Sequence, residues 1–361
     1  MTGGGHPVWV GVVIVVGLVG VTYLGWRRFG PPALVVALVV TLAAGTAFVQ
    51  YRQLAHVIPN VSSVAYLQVF ERGTHEATIE GQGTDPGEYR LLSEWGAEAG
   101  LETARTLGFH RPYVVGFEAF RVIQNLVIFA ALWILLRRFR FDRLAATLGL
   151  GLLAWAMTQG LHNSGLAFNT YGDLAFYLIA AVLILDRRYI WIVPLSVLAA
   201  LNRETSGLIP VMLLAVAAAQ GVHTDSGRRA LKYGGLALAG YAITIATVRL
   251  IVGSAPLYEP FYLRPGIDFL SFNLRSGLTW EYLFRTLNVV PIIALAGVRR
   301  WPRELKAFAL AIVPVWVLAH LFASILAETR LLLVPYAVVF IPGALFALRG
   351  SADPLGQARQ E

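Results

Sequence analysis

The chain has 361 residues, 57% of them hydrophobic and only 14% charged, with a mean hydropathy of +0.64. A soluble domain carries about 25% charged residues, so this composition excludes an ordinary globular enzyme and points to an integral membrane protein. Without a cysteine the chain offers no disulfide, thiolate metal site or Cys nucleophile. Most of the net charge of +8 sits in short turns between apolar runs, which is a topology signal and not a nucleic-acid footprint.

In chain order, apolar runs long enough to cross ~30 Å of hydrocarbon fall at about 8–25, 33–51, 113–136, 143–161, 171–185, 231–252, 284–298, 306–326 and 331–348. Alternating segments of ~10 residues, the mark of a membrane barrel, do not occur, so the expected class is all-α. The first run, "VWVGVVIVVGLVGVTYLGW", lacks a basic leader and an Ala-x-Ala site, and "RRFGPP" follows it. It therefore reads as a retained helix and not a signal peptide. The connections "WRRFG", "RRFRFDR", "DRR", "SGRRALK" and "RRWPRELK" are all basic, and the positive-inside rule places them in the cytoplasm.

Between "DRR" and "SGRRALK" lies an apolar stretch, Ile190 to Ala219, interrupted by "NRETSG". Both its ends are cytoplasmic, so it must cross an even number of times. It is too long for one span and short for two, which predicts a hairpin of short helices at roughly 190–201 and 206–219 with Arg203 and Glu204 at its turn. About nine full spans plus this hairpin make about 11 membrane segments. The N-terminus is expected outside and the C-terminus inside, in the cytoplasmic membrane. Three regions are expected: 1–32, an extra helix and turn; 33–348, the transmembrane domain, with outer loops 52–112 and 253–283; and 349–361, a solvated tail.

The polar clusters all fall on the predicted outer side. In "TDPGEYRLL", Asp85 and Glu88 could supply a general base or metal ligand, or simply an N-cap with a capping-box Glu three residues on. In "NRETSG", Arg203 could hold a phosphate in its planar fork with Glu204 orienting it, or the two could be a structural pair. "AETRLLLVP" repeats this chemistry with Glu328 and Arg330. The segment "HNSGLAFNTYGD" offers Asn163, Asn169 and Tyr171 to line a cleft, and Asp173 as a helix cap. Glu118 with Arg121, and Arg249, lie towards the outer ends of spans, where they could pair or contact lipid phosphate. His110, His162 and His320 are too scattered to propose a metal site, and His320 reads as a satisfied interhelical residue. No phosphate-binding Gly-rich loop, His-Glu-x-x-His or nucleophile elbow is present.

Four stretches, in this order, resemble the GT-C superfamily of polytopic glycosyltransferases: "TDPGEYRLL", "NTYGDLAFYLIAAVLIL", "LAALNRETSGLIPVMLL" and "ETRLLLVPYAVVFIPGAL", together covering about 33–348. The resemblance implies a GT-C-type helical bundle that transfers a sugar from a polyprenyl-phosphate donor to a glycan, lipid or protein acceptor, with inversion, at the outer face. It gives Asp85, or else Glu88, the role of base. It gives Arg203 and Arg330 the lipid phosphate, and leaves Glu204, Glu328, Tyr89, Asn163, Asn169, Tyr171 and Asp173 to orient or line the substrate. No cofactor is implied with certainty: an Mg or Mn ion would suit such chemistry, but the loop has no acidic pair to hold one. The chain departs from the pattern in the 33 residues between Tyr51 and Asp85 and in the additional first helix. A non-catalytic GT-C-like subunit or lipid-headgroup-binding scaffold is the alternative, with a lipid or polysaccharide transporter behind it.

Overall fold

A computed structural model describes residues 31–58, 60–82, 89–160, 166–253 and 264–352. Among these residues the chain is helical throughout and contains no strand. Helices α1 (Pro31–Gln53), α4 (Pro112–Arg138), α6 (Phe168–Leu185), α9 (Asp225–Val252) and α13 (Arg303–Ala323), with the segment Thr329–Arg349, are long and apolar enough to cross a membrane. Six such helices are the make-up of a multi-pass membrane protein. Helix α5 (Arg143–Gln159) is apolar and, at 17 residues, one residue shorter than α6.

The expected hairpin is present, as α7 (Ile192–Ala200) and α8 (Leu208–Gln220) joined by Asn202, Arg203 and a 3-10 turn, Glu204–Gly207. One other expectation needs correction. The run 284–298 is not one span: α11 (Gly277–Leu287) stops at Asn288, whose φ is +51°, and α12 (Val290–Ala296) restarts over Pro291. A left-handed residue and a proline in the first turn together break the helix. The expected outer loop 52–112 is itself largely helical among the described residues. It forms α2, a continuous helix of Ser63–Ala65, the π-turn Tyr66–Glu71 and Arg72–Ile79, and then α3 (Leu91–Thr106). The run 8–25 and the tail 353–361 lie outside the described residues.

Helix α10 (Ile267–Arg275) is tied under the end of α13, where Asn273 donates to the carbonyls of Leu321 and Ser324. The last helix, α14, runs through Leu333–Pro335, Tyr336–Phe340 and Ile341–Ala352. It is the centre of the bundle: 83% of its apolar window is buried, against 11% for α9, which stands at the periphery. Helices α4 and α6 complete the middle with Phe117, Phe129, Leu132, Tyr171, Tyr177 and Leu178, all fully enclosed.

The bundle has two unlike ends. At one, arginines close the helices: Arg138 pairs with Asp186, Arg300 donates to the Ala347 carbonyl and Arg349 to that of Arg140. At the other, α3 packs on α4 and α6 and reaches the turn of the hairpin, with α2 against it. Glycines set that packing. A Cβ on Gly116 would lie 2.6 Å from the Leu101 backbone, and one on Gly100 2.8 Å from the Gly116 carbonyl oxygen, so α3 and α4 cross with their backbones in contact.

Candidate functional site: an arginine pair at the hairpin turn

The hairpin turn is fixed from three helices. Asn202 donates to the Asn169 carbonyl at 2.8 Å and accepts from the Ser93 hydroxyl, and the Leu92 N–H reaches the Leu201 carbonyl at 3.0 Å. Tyr177 donates to the Thr205 carbonyl and Tyr241 to that of Glu204, each at 2.5 Å. Gly172 makes this docking feasible, because a Cβ there would sit 2.6 Å from the Asn202 Oδ1.

So held, the turn presents Arg203, which is 5% exposed. Its Nη1 donates to the Thr170 hydroxyl at 3.3 Å, and Arg330 donates to the same oxygen, also at 3.3 Å. The two nitrogens are therefore within 6.6 Å (2 × 3.3) of each other. Two positive charges at that separation repel by on the order of 2 kcal/mol at an effective dielectric near 20. Arg330 is balanced by Glu328 at 2.6 Å. Arg203 has no ion pair among the described residues, and the Nε atoms of Arg203, Arg330 and Arg90 all lack acceptors there. Arg90, just before α3, reaches Glu204 at 3.3 Å, whose other oxygen is buried without a donor among those residues. An anion between the two guanidinium groups would relieve the repulsion and occupy the idle donors.

Of the residues singled out from the sequence, Arg203, Arg330, Glu204, Glu328, Asn169 and Asp173 gather here. Asp173 is not a helix cap, since α6 begins at Phe168 after Ala167 with no side-chain cap. Instead it is fully buried one turn and more inside α6, accepting from the Thr205 hydroxyl at 2.5 Å. Tyr89 stands apart, with its ring under Arg249 at 4.7 Å. Asp85, Glu88, Asn163 and His162 lie outside the described residues. His320 is satisfied within its own helix by the Trp316 carbonyl at 2.8 Å, not across helices.

Tyr171 faces a second polar group. Its ring lies 3.8 Å under the guanidinium of Arg121, and its hydroxyl accepts from Gln50 at 2.9 Å. Arg121 does not pair with Glu118: its three nitrogens are fully buried and have no acceptor among the described residues. Glu71, half-buried at the end of the π-turn of α2, lies within the electrostatic reach of both Arg121 and Arg330 and accepts from the Leu166 N–H at 3.4 Å. Burial, and then the charge of Glu94, push its carboxyl up to about 7.

Sequence reading gave no role to Arg90, Thr170, Asn202 or Glu71. Arg90 and Thr170 stand inside motifs quoted for other residues, but Glu71 carries no local signal. Among the described residues no group of His, Asp and Glu is arranged to hold a metal ion. No family model, curated protein or solved structure matches the chain.

Proposed function

We propose that the chain is a membrane glycosyltransferase that uses a polyprenyl-phosphate sugar, with the arginine pair as the seat of the lipid phosphate. The observation that carries this reading is the shared hydroxyl of Thr170: two guanidinium groups are brought onto one neutral oxygen with donors left over. Such a site wants a compact anion with several acceptor oxygens. The arginine-rich end faces the cytoplasm by the positive-inside rule, so the pair faces the outer leaflet. A polyprenyl phosphate can enter there from the bilayer, which removes the need for a nucleotide-binding domain. The GT-C resemblance supports the same bundle type and the same order of motifs.

In this reading Arg203 and Arg330 stabilise charge growing on the departing phosphate, and Glu328 orients Arg330. A carboxylate takes the proton of the acceptor hydroxyl. The resemblance gives that task to Asp85 or Glu88; Glu71, within the electrostatic reach of Arg121 and Arg330, is the alternative among the described residues. The acceptor is an envelope glycan, lipid or protein.

The test is a mass-spectrometric profile of envelope glycolipids and glycans in a deletion strain complemented with wild type, Arg203→Ala, Arg330→Ala, Asp85→Asn or Glu71→Gln. A glycan that loses one sugar and is restored only by wild type and one of the two carboxylate variants supports the reading and names the base. A profile unchanged by deletion, or restored by both arginine variants, replaces it with a headgroup-binding scaffold, for which the same arginine pair would serve without chemistry.

A further inference from the structure

One buried titratable side chain has no part in the site so far. His75, on α2, is 3% exposed, with Nδ1 2.6 Å from the Glu94 carboxylate and Nε2 2.7 Å from that of Glu98. Glu94 and Glu98 are one turn apart on α3, so a single ring bridges both. A carboxylate only accepts, so satisfying both contacts requires a proton on each ring nitrogen: an imidazolium between two carboxylates.

The surroundings agree. From α4 the ring meets Phe117 edge-on at 5.3 Å, while Tyr113 is engaged with Glu76 at 2.6 Å. Arg105 reaches Glu98 at 3.4 Å and Glu102 at 3.3 Å. Arg72, on His75's own helix, pairs with Glu76. No other cation among the described residues contacts Glu94, and Glu71 adds a third carboxylate within its electrostatic reach. His75 is thus the cation that bridges α2 to Glu94 and Glu98 of α3, with Arg72 and Arg105 at the rim of this acidic seam.

The seam adjoins the candidate site. Glu71 precedes His75 by one turn on α2 and feels Arg121 and Arg330. On α3, Ser93 and the preceding Arg90 reach Asn202 and Glu204 of the hairpin turn, while Glu94 and Glu98 reach His75.

We propose that His75 is a positioning residue: as an imidazolium it clamps α2 onto α3, holding Glu71 and Arg90 beside the arginine pair, and the clamp opens when the ring is neutral. The second half of this statement, the link to the pair, rests on the reading of that pair as a phosphate seat. Burial opposes the ring's charge, but the bonds to Glu94 and Glu98 outweigh it and raise its titration above the ordinary 6.5. A group raised in the folded state contributes fully below its unfolded value and loses that contribution as pH climbs through the folded one. The clamp is therefore closed in mild acid and opens on the alkaline side.

Amide hydrogen exchange of the detergent-solubilised full chain, corrected for intrinsic rates, reads the clamp directly. In wild type, residues 72–79 should be protected at pH 5.5 and exchange on the order of tenfold faster or more at pH 9, because a neutral ring has one N–H and loses the charge-assisted hydrogen bond to one of the two carboxylates. His75→Gln should be fast at both values. His75→Lys, which keeps a cation, should be protected at both. Glu98→Gln, a milder change, should move the wild-type midpoint to lower pH. Equal wild-type protection at pH 5.5 and 9, or a His75→Gln profile matching wild type, overturns the clamp. Undecaprenyl phosphate binding, measured on the same proteins, should weaken in parallel with protection. If protection follows the expected pattern and binding is absent in every protein at every pH, the phosphate reading fails while the clamp stands. If binding occurs but ignores the clamp, the positioning role is lost.

Discussion

Thr170 receives two arginines on one hydroxyl oxygen, an arrangement that costs repulsion and leaves donors idle. Thr170→Val keeps the shape and removes the shared acceptor. It should lower stability by about 1–3 kcal/mol, the cost of leaving buried donors without partners, as measured by thermal unfolding in detergent. Added inorganic pyrophosphate should recover part of the loss; a variant as stable as wild type would show that the hydroxyl is not the hinge of the pair. Glu71 makes a second prediction. Its titration is raised to about 7, so the fold favours its protonated form, and its contribution is full below about 4.5 and lost as pH rises through about 7. Glu71→Gln should therefore melt above wild type at pH 8 and level with it at pH 4.5. Equal melting at both values would mean that the carboxylate is well solvated. The two residues also differ in legibility. Arg203 and Arg330 stand out in the sequence because a charge in an apolar run demands an explanation. Thr170 does not, since a threonine on a helix is commonplace and only the tertiary contact makes it a junction.

At the scale of elements, the hairpin was legible for a physical reason: basic turns at both ends and a polar turn in the middle leave few ways to thread the stretch. Helices α2 and α3 were not, because their apolar residues are sparse and much of their burial comes from ionic and polar contacts such as His75–Glu94, Arg105–Tyr113 and Tyr113–Glu76. The break at Asn288 escaped as well, because hydropathy does not register the sign of φ. Packing makes its own prediction. The crossing of α3 and α4 leaves no room for a methyl on Gly116, 2.6 Å from the Leu101 backbone. Gly116→Ala should cost about 1–3 kcal/mol through overpacking and speed amide exchange across 91–106; an unchanged exchange pattern would mean that the two helices separate freely.

For the whole molecule, the two unlike ends were foreseeable from where the arginines fall. The number of segments was not, because hydropathy cannot separate a full span from α5 or the broken pair α11 and α12. The orientation is directly testable, since the natural chain has no cysteine. Single cysteines at the exposed Glu102 and Arg229 should react differently with an impermeant maleimide, the first in intact cells and the second only after permeabilisation. The reverse pattern would put the arginine pair on the cytoplasmic side and remove the outer-leaflet donor.

The hairpin and α14 both run between the pair and the arginine-rich end of the bundle. Arg203 is carried inward on α7, only nine residues long, whereas Arg330 stands where the last long segment begins. Their registration is thus a difference between two lengths, like the marks of a vernier. One helical turn, about 5.4 Å, exceeds the 3.3 Å contacts that join both to Thr170. Inserting or deleting a turn in α7 and α8 together would leave two intact arginines that no longer read the same oxygen.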